Sequence, residues 1–107
     1  MWIASKLGYF SVVKKGRDYH VRARVKRDLH NLLQAAGMVG VGIISSENSD
    51  YKYRVVIDRE YQIRLFDALR DSIDYLNFKS VVAKTPDQRA KLQSYHAIWS
   101  EMQKHQA

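Results

Sequence analysis

Basic side chains alternate with apolar or aromatic residues in two segments, at positions 20, 22 and 24 and at positions 52 and 54. Residues 19–25 and 51–57 alternate in this way, which predicts two β-strands. Successive side chains of a strand point to opposite faces, so the basic side chains are expected to share a face. Guanidinium groups form bidentate, charge-assisted bonds with phosphate oxygens, so such a face can hold an anion. The candidate anion-binding residues are His20, Arg22, Arg24, Lys52 and Arg54.

The positive charge of the chain is concentrated near its start. Residues 1–30 hold eight Lys and Arg but only two Asp, whereas residues 31–80 hold six basic and seven acidic residues. The formal net charge of the whole chain is +7. Because local positive potential speeds the encounter with polyanions, we predict a non-enzymatic binding domain whose partner is nucleic acid or the acidic surface of a protein.

The basic face has a second interpretation, in which it is only solvated. An antiparallel sheet with one face in water carries long polar side chains there without any ligand. Sheets that bind single-stranded nucleic acid usually add exposed aromatic side chains for base stacking. Here Tyr19, Tyr51 and Tyr53 alternate with the basic residues and are expected on the core face. The pattern therefore predicts phosphate contact without base recognition.

A compact aromatic segment suggests a different kind of contact. Residues 73–79 join a helix exit to two aromatic side chains, an amide and a lysine, and loops of this kind can bind partners. The structural alternative is that Asn77 caps the next helical turn while Tyr75 and Phe78 cover the core. The candidate partner-binding residues are Tyr75, Asn77, Phe78 and Lys79.

These aromatic residues support an alternative hypothesis, a protein–protein module such as a homodimer, an adaptor or an inhibitor of a larger complex. In such interfaces a few aromatic anchors provide most of the binding energy. In this hypothesis the positive charge serves only solubility and steering. The proposed anchors are Trp2, Tyr9, Phe10, Tyr75 and Phe78.

Catalytic and metal-binding patterns are weak in this chain. Asp67, Asp71 and Asp74 share one helix face, but Arg64 and Arg70 stand at ion-pair spacing, which favours a salt-bridged surface. There is no cysteine, and no second histidine completes a metal-ligand spacing. We predict no catalytic residue, no metal site and no cofactor.

His96 is the one histidine with a notable neighbour, because Trp99 follows three residues later. A histidine in this position can act as a general base or a ligand. We interpret it as a histidine at the edge of the core. A weaker alternative places it with Arg22 and Arg54 around a phosphorylated small molecule.

The length of the chain predicts one domain over residues 1–107, and the order of its strand and helix patterns predicts an α+β fold. The chain is 46% hydrophobic and 27% charged, with one proline. It has no apolar run long enough to span a membrane and no signal-peptide core at its start, so we expect a cytoplasmic protein. The expected architecture is an antiparallel sheet with helices packed on one face, in the order ββαββαα.

Several local patterns specify the elements further. We expect an extended segment over residues 2–15 with a bulge at Gly8, and a third main strand over residues 39–46. Gly37 is placed to end the first helix. Residues 85–88 predict the start of a final helix. The expected buried stripe of that helix is Leu92, Tyr95, Trp99 and Met102.

Several segments spread over nearly the whole chain form a familiar combination, namely Trp2 and residues 8–13, 21–24, 28–29, 50–54, 73–79 and 95–99. Taken together they resemble a family of small uncharacterised bacterial proteins of roughly this length. Its members begin with a similar Met-Trp extended segment and end in a Tyr-His-x-x-Trp helix. The resemblance implies one compact, cytoplasmic bacterial domain and implies no catalytic residue; Leu76 stands where relatives often have proline.

Overall fold

A five-stranded antiparallel sheet lies at the centre of residues 1–74. The computed structural model describes residues 1–107, which form two compact units, Met1–Asp74 and Tyr75–Ala107. The α+β class with an antiparallel sheet is confirmed, whereas the single domain over residues 1–107 stays a prediction. The elements are β1 (Trp2–Ser5), β2 (Gly8–Lys15), β3 (Asp18–Ala23), α1 (Lys26–Ala35), β4 (Ile44–Ser45), β5 (Tyr53–Asp58), α2 (Gln62–Asp71), α3 (Phe78–Lys84) and α4 (Leu92–Met102).

The strands lie side by side in the order β1-β2-β3-β5-β4. The first two form a hairpin, in which Ser5 pairs with Gly8 across a turn at Lys6 and Leu7. The expected bulge at Gly8 is therefore wrong, because Gly8 begins a separate strand that folds back on β1. This extra strand places Trp2 directly beside Ser11.

Gly8 allows a close approach between α1 and β2. Asp28, in the first turn of α1, is buried, and its Oδ2 accepts a hydrogen bond from the backbone N–H of Tyr9 at 3.1 Å. A methyl group on Gly8 would meet the Cβ of Asp28 and would lie 2.5 Å from its Cγ. The close packing of α1 on the β1–β2 hairpin therefore requires a glycine at position 8.

The core of the first unit lies between one face of the sheet and the two helices α1 and α2. Leu29 and Leu32 of α1 and Leu65 of α2 are buried in it. As predicted, Gly37 ends the α1 segment, with a φ of 68° in the left-handed region that favours glycine. The sheet contributes Phe10, Val12, Val21, Ala23, Val55 and Ile57.

The two remaining predicted strands are shorter than expected. Residues 39–46 contribute only β4, because glycines at positions 40 and 42 interrupt a run that would otherwise favour a strand. The strand predicted over residues 51–57 is also shorter, because β5 begins at Tyr53 rather than at Tyr51. Tyr51 thus precedes the strand, and strand alternation does not determine where its ring lies.

The second unit contains α3 and α4. Thr85 does not start the final helix, because its hydroxyl donates to the carbonyl of Val81 at 2.7 Å and so belongs to the end of α3. A 3-10 turn follows, and α4 begins only at Leu92. The predicted buried stripe is wrong beyond Tyr95, since Trp99 and Met102 are exposed. No helix in the structure is long and apolar enough to span a membrane.

Replacing Gly8 with alanine should destabilise the first unit, because the new methyl group overlaps the near end of the Asp28 side chain. We expect a loss of about 1–3 kcal/mol in the free energy of unfolding, the usual cost of overpacking. Urea unfolding followed by circular dichroism measures this value. Gly40→Ala is the matched control, since a methyl group there has no neighbour within 4 Å. Equal stability of the two variants would contradict the close packing of α1 on β2.

Candidate functional site

Five residues, one from each strand, form a row across the sheet. The pairing joins Trp2 to Ser11, Ser11 to Arg22, Arg22 to Arg54 and Arg54 to Ile44. Directly opposed residues of antiparallel strands project from the same face. This face is opposite to the one that forms the core. We call it the basic face and define it by Trp2, Tyr9, Ser11, His20, Arg22 and Arg54. Arg24 and Tyr51 are included, because the Tyr51 ring contacts the guanidinium groups of both Arg22 and Arg24.

Arg22 is held at the centre of this row by neutral groups. Its Nη2 donates to the hydroxyl of Ser11 at 2.7 Å, and its guanidinium carbon lies 4.8 Å from the ring centre of Tyr51. Its Nε is buried and has no hydrogen-bond partner. The Tyr51 ring, only 7% exposed, also lies 4.6 Å from the guanidinium of Arg24. Two arginines therefore share one aromatic ring, and no carboxylate neutralises either of them.

Arg54 is oriented in a similar way. Its Nη2 donates to the hydroxyl of Ser49 at 3.1 Å, and its Nη1 lies 3.5 Å from Nδ1 of His20. Burial lowers the pKa of His20, and the positive charges of Lys15, Arg54 and Arg22 lower it further, whereas Asp18 acts in the opposite direction. The neutral form of the imidazole is therefore favoured beside Arg54.

Lys52 is turned away from the arginine row. It precedes β5, and its ammonium lies 3.3 Å from the carboxylate of Glu47 and 5.6 Å from the ring centre of Tyr53. The hydrogen bond to Glu47 raises the pKa of Lys52. Four of the five candidate residues thus lie together, namely His20, Arg22, Arg24 and Arg54, while Lys52 is engaged with Glu47.

Aromatic side chains on the basic face were missed by the sequence analysis. Tyr51 was expected in the core, but its ring contacts the two arginines instead. Trp2 and the half-buried Tyr9 also belong to this face, because they pair with Ser11 and Ala4 across the β1–β2 hairpin. The only signal in the sequence was the pair of turn residues before Gly8, which is too weak to separate a hairpin from a bulge.

Acidic residues mark one end of the same face. Asp18 pairs with Asp58 between β3 and β5, and Lys15 pairs with Asp18 on the other side. Because two carboxylates lie there with Lys15, this end of the face attracts an anion less than the row of Arg22 and Arg54 does. The positive charge of the basic face is therefore concentrated at the row of Arg22 and Arg54.

The predicted partner-binding corner opens the second unit. Asn77 caps α3, since its Oδ1 accepts from the backbone N–H of Ser80 at 2.9 Å, which is the structural role considered from the sequence. The ring of Phe78 lies between those of Tyr75, at 6.0 Å, and Tyr95, at 5.0 Å. Two of the four candidates thus pack against aromatic neighbours and one caps a helix.

Lys79 forms a small cluster with the last helix. Its ammonium lies 4.6 Å from the ring centre of Trp99 and 3.4 Å from Nδ1 of His96. The rings of His96 and Trp99 stack with their centres 5.6 Å apart. His96 is exposed, so the interpretation of this residue as one at the edge of the core is wrong.

The row of acidic residues Asp67, Asp71 and Asp74 forms ion pairs, but only the pair of Arg70 with Asp67 has the helical spacing that the sequence predicts. Arg70 lies 3.4 Å from Asp67 and 3.0 Å from Asp71. Lys6, from the β1–β2 turn, lies 2.7 Å from Asp74, and its hydrogen bond lowers the pKa of that carboxyl. Arg64 does not join the row, because it donates to the carbonyl of Gly37.

Known proteins give no guide to this surface. Comparison of the chain with protein-family models, with curated proteins and with solved structures produces no match. The function must therefore be argued from the residues themselves.

The lowered pKa of His20 predicts a pH dependence of stability. An unfolded histidine titrates near 6.5, so the folded protein binds fewer protons at this site than the unfolded chain. The stabilising contribution of neutral His20 is complete above about pH 6.5 and is lost as the pH falls toward the folded pKa. NMR titration of the His20 ring protons measures the shift directly.

Arg54→Gln should move the pKa of His20 upward, because it removes one of the positive charges that lower it. Arg59→Gln is the matched control, since Arg59 is not among the charges that shift the pKa of His20. A pKa for His20 at or above that of the unfolded chain would contradict the described environment.

Proposed function

We propose that the protein is a non-enzymatic binding module whose basic face contacts the phosphates of a polyanion, in the first place a nucleic acid. The observation that carries the proposal is the direct pairing of Arg22 with Arg54, extended by Arg24 over the shared ring of Tyr51. Three guanidinium groups thus stand close together without a carboxylate partner. An anion that bridges them would relieve their mutual repulsion.

The way in which the guanidiniums are held supports the same function. Ser11, Ser49 and Tyr51 orient the arginines without neutralising them. Groups that are already ordered lose less conformational entropy when they bind, so such an arrangement favours association. Guanidinium forks that stay charged and oriented suit the oxygens of a phosphate group.

Nothing in this arrangement distinguishes one base from another through hydrogen bonds. The polar groups of the face are mainly cationic donors, which bind phosphate oxygens. Contacts of this kind position a nucleic acid but carry no sequence information. The proposed module therefore binds phosphate backbones with little dependence on sequence.

A second candidate function, a protein–protein module, is favoured by exposed apolar residues on α4. Ile98, Trp99 and Met102 are 47%, 52% and 59% exposed. Met102 follows Ile98 by four residues and Trp99 by three, so it is a neighbour of both on the helix surface. Aromatic and methionine side chains are enriched in interfaces. Phe10 cannot serve as an anchor, because it is fully buried in the core.

The polyanion proposal predicts salt-dependent binding that requires the two paired arginines. Fluorescence anisotropy of a labelled oligonucleotide at about 50 and 200 mM salt should show a steep loss of affinity at high salt, because bound phosphates release counterions. The double variant Arg22→Glu, Arg54→Glu should abolish binding. Unchanged affinity at the two salt concentrations would contradict the proposal.

A second double variant with the same change in net charge distinguishes binding at the basic face from a general effect of the protein's net charge. Lys84→Glu combined with Arg89→Glu changes the net charge by the same amount at two exposed positions of the second unit. This variant should retain most of the affinity. An equal loss in both double variants would show that net charge alone drives binding and would contradict the assignment to the basic face.

The alternative module predicts self-association through α4. Light scattering over a range of protein concentrations should then show a dimer that Trp99→Ala weakens, since an aromatic anchor near the centre of an interface dominates its energy. Ile63→Ala is the control, because Ile63 is a comparably exposed apolar residue on α2. A strict monomer at all concentrations would contradict self-association.

A further inference from the structure

One exposed aromatic side chain stands at the end of the arginine row. Trp2 is 74% exposed on the edge strand β1, and it lies in register with Ser11 and therefore with Arg22 and Arg54. Phosphate binding by the arginines does not require it. Single exposed apolar residues are common on protein surfaces. Trp2 differs from the other exposed aromatic residues because it stands in register with the two arginines, a position that the proposed function does not use.

The position of Trp2 relative to the arginines is set by the spacing of strands. Neighbouring strands lie about 4.8 Å apart, so Trp2 stands roughly 10 Å from the position of Arg22 and roughly 14 Å from that of Arg54. Tyr9 is a diagonal neighbour of Trp2 on the same face, because Ala4 pairs with Tyr9 and Trp2 with Ser11. An aromatic end and a cationic end are thus separated by a distance that a short stretch of a polymer can bridge.

We propose that the ligand of the basic face is a single-stranded nucleic acid, one base of which stacks on Trp2 while the phosphates that follow lie on Arg22 and Arg54. This inference rests on the proposed function and names the class of polyanion that the face takes. A flat base provides the surface that covers the indole ring, and the phosphodiester backbone provides the negative charge. Stacking on aromatic rings beside a positively charged groove is the common mode of binding single strands without sequence preference.

Other polyanions match only part of this surface. In a duplex the faces of the bases are covered by their neighbours, so Trp2 would gain no stacking partner. An acidic protein surface can pair with the arginines but offers no repeated flat rings at a fixed distance from its charges. The carboxylates of Asp18 and Asp58 lie four residues along β3 and β5 from Arg22 and Arg54. They disfavour a nucleic-acid strand that runs along β3 and β5 in that direction, and a path across the strands, along the row toward Trp2, avoids them.

The test compares two oligomers of equal charge and length, a single-stranded oligothymidylate and its abasic counterpart, which keeps the phosphates but lacks the bases. The wild-type protein should bind the oligothymidylate more tightly, by roughly 5- to 150-fold, the range expected for loss of one base stack. Trp2→Ala should abolish this preference and leave the salt-dependent binding of the abasic oligomer unchanged. Trp2→Phe should retain part of the preference.

Each other outcome overturns the inference in a recognisable way. If the wild-type protein binds both oligomers equally and in a salt-dependent way, the inferred stacking of a base on Trp2 is wrong and the proposed function still holds. If the wild-type protein binds neither oligomer, the proposed function is overturned as well. A preference that survives in Trp2→Ala would exclude Trp2 as the stacking residue, and tighter binding of a duplex or of polyglutamate than of the single strand would exclude the named ligand class.

Fluorescence provides an independent readout of the same contact. The chain has two tryptophans, so Trp99→Phe leaves Trp2 as the only indole. Addition of the oligothymidylate should quench the emission of this variant, while the abasic oligomer should not, because only a stacked base contacts the ring. Circular dichroism of Trp2→Ala confirms that the variant is folded, as expected for a side chain that is mostly in water. Identical emission with both oligomers would overturn the inference.

Discussion

The antiparallel register of β3 between β2 and β5 is the constraint on which the rest of the first unit depends. A shift of one residue would exchange the two faces of the strand, moving Val21 into water and Arg22 into the core. Burial of Val21 and Val55 against α1 opposes such a shift, because charged side chains in the core would carry a large desolvation cost. The same packing that forms the core therefore positions the arginines on the opposite face.

The contact of α1 with the first hairpin adds a second constraint. The buried Asp28 accepts a hydrogen bond from the backbone of Tyr9, next to the one position where a side chain would overlap it. This contact fixes the start of β2 and, through pairing, the position of β1. The edge strand then brings Trp2 into the same row as the arginines. Packing on the core side thus determines which aromatic residues reach the basic face.

The basic face keeps like charges close together, which is unusual for a surface whose only role is stability. On the α2 surface Arg70 is paired with carboxylates, whereas Arg22 and Arg54 are held by hydroxyl groups and an aromatic ring. Neutral partners orient a guanidinium but leave its charge available. His20 responds to this environment, because burial and the neighbouring positive charges favour its neutral form. In the proposed function, a bound anion compensates the positive charge of the basic face.

The sequence alone determined the fold class, the face on which Val21 and Val55 lie, and the alternation that directs Arg22 and Arg54 away from the core. These features follow from local periodicity, which requires no knowledge of distant contacts. The tertiary structure decided the separation of β1 from β2, the position of Tyr51 and the exposure of Trp99. Each of these depends on which segments meet across the chain: a hairpin and a bulge have similar local patterns, and a ring outside a strand follows its neighbours rather than an alternation. Arg22 and Arg54 could therefore be assigned to the basic face from the sequence, whereas the neutral groups that orient them and the aromatic end of their row could not.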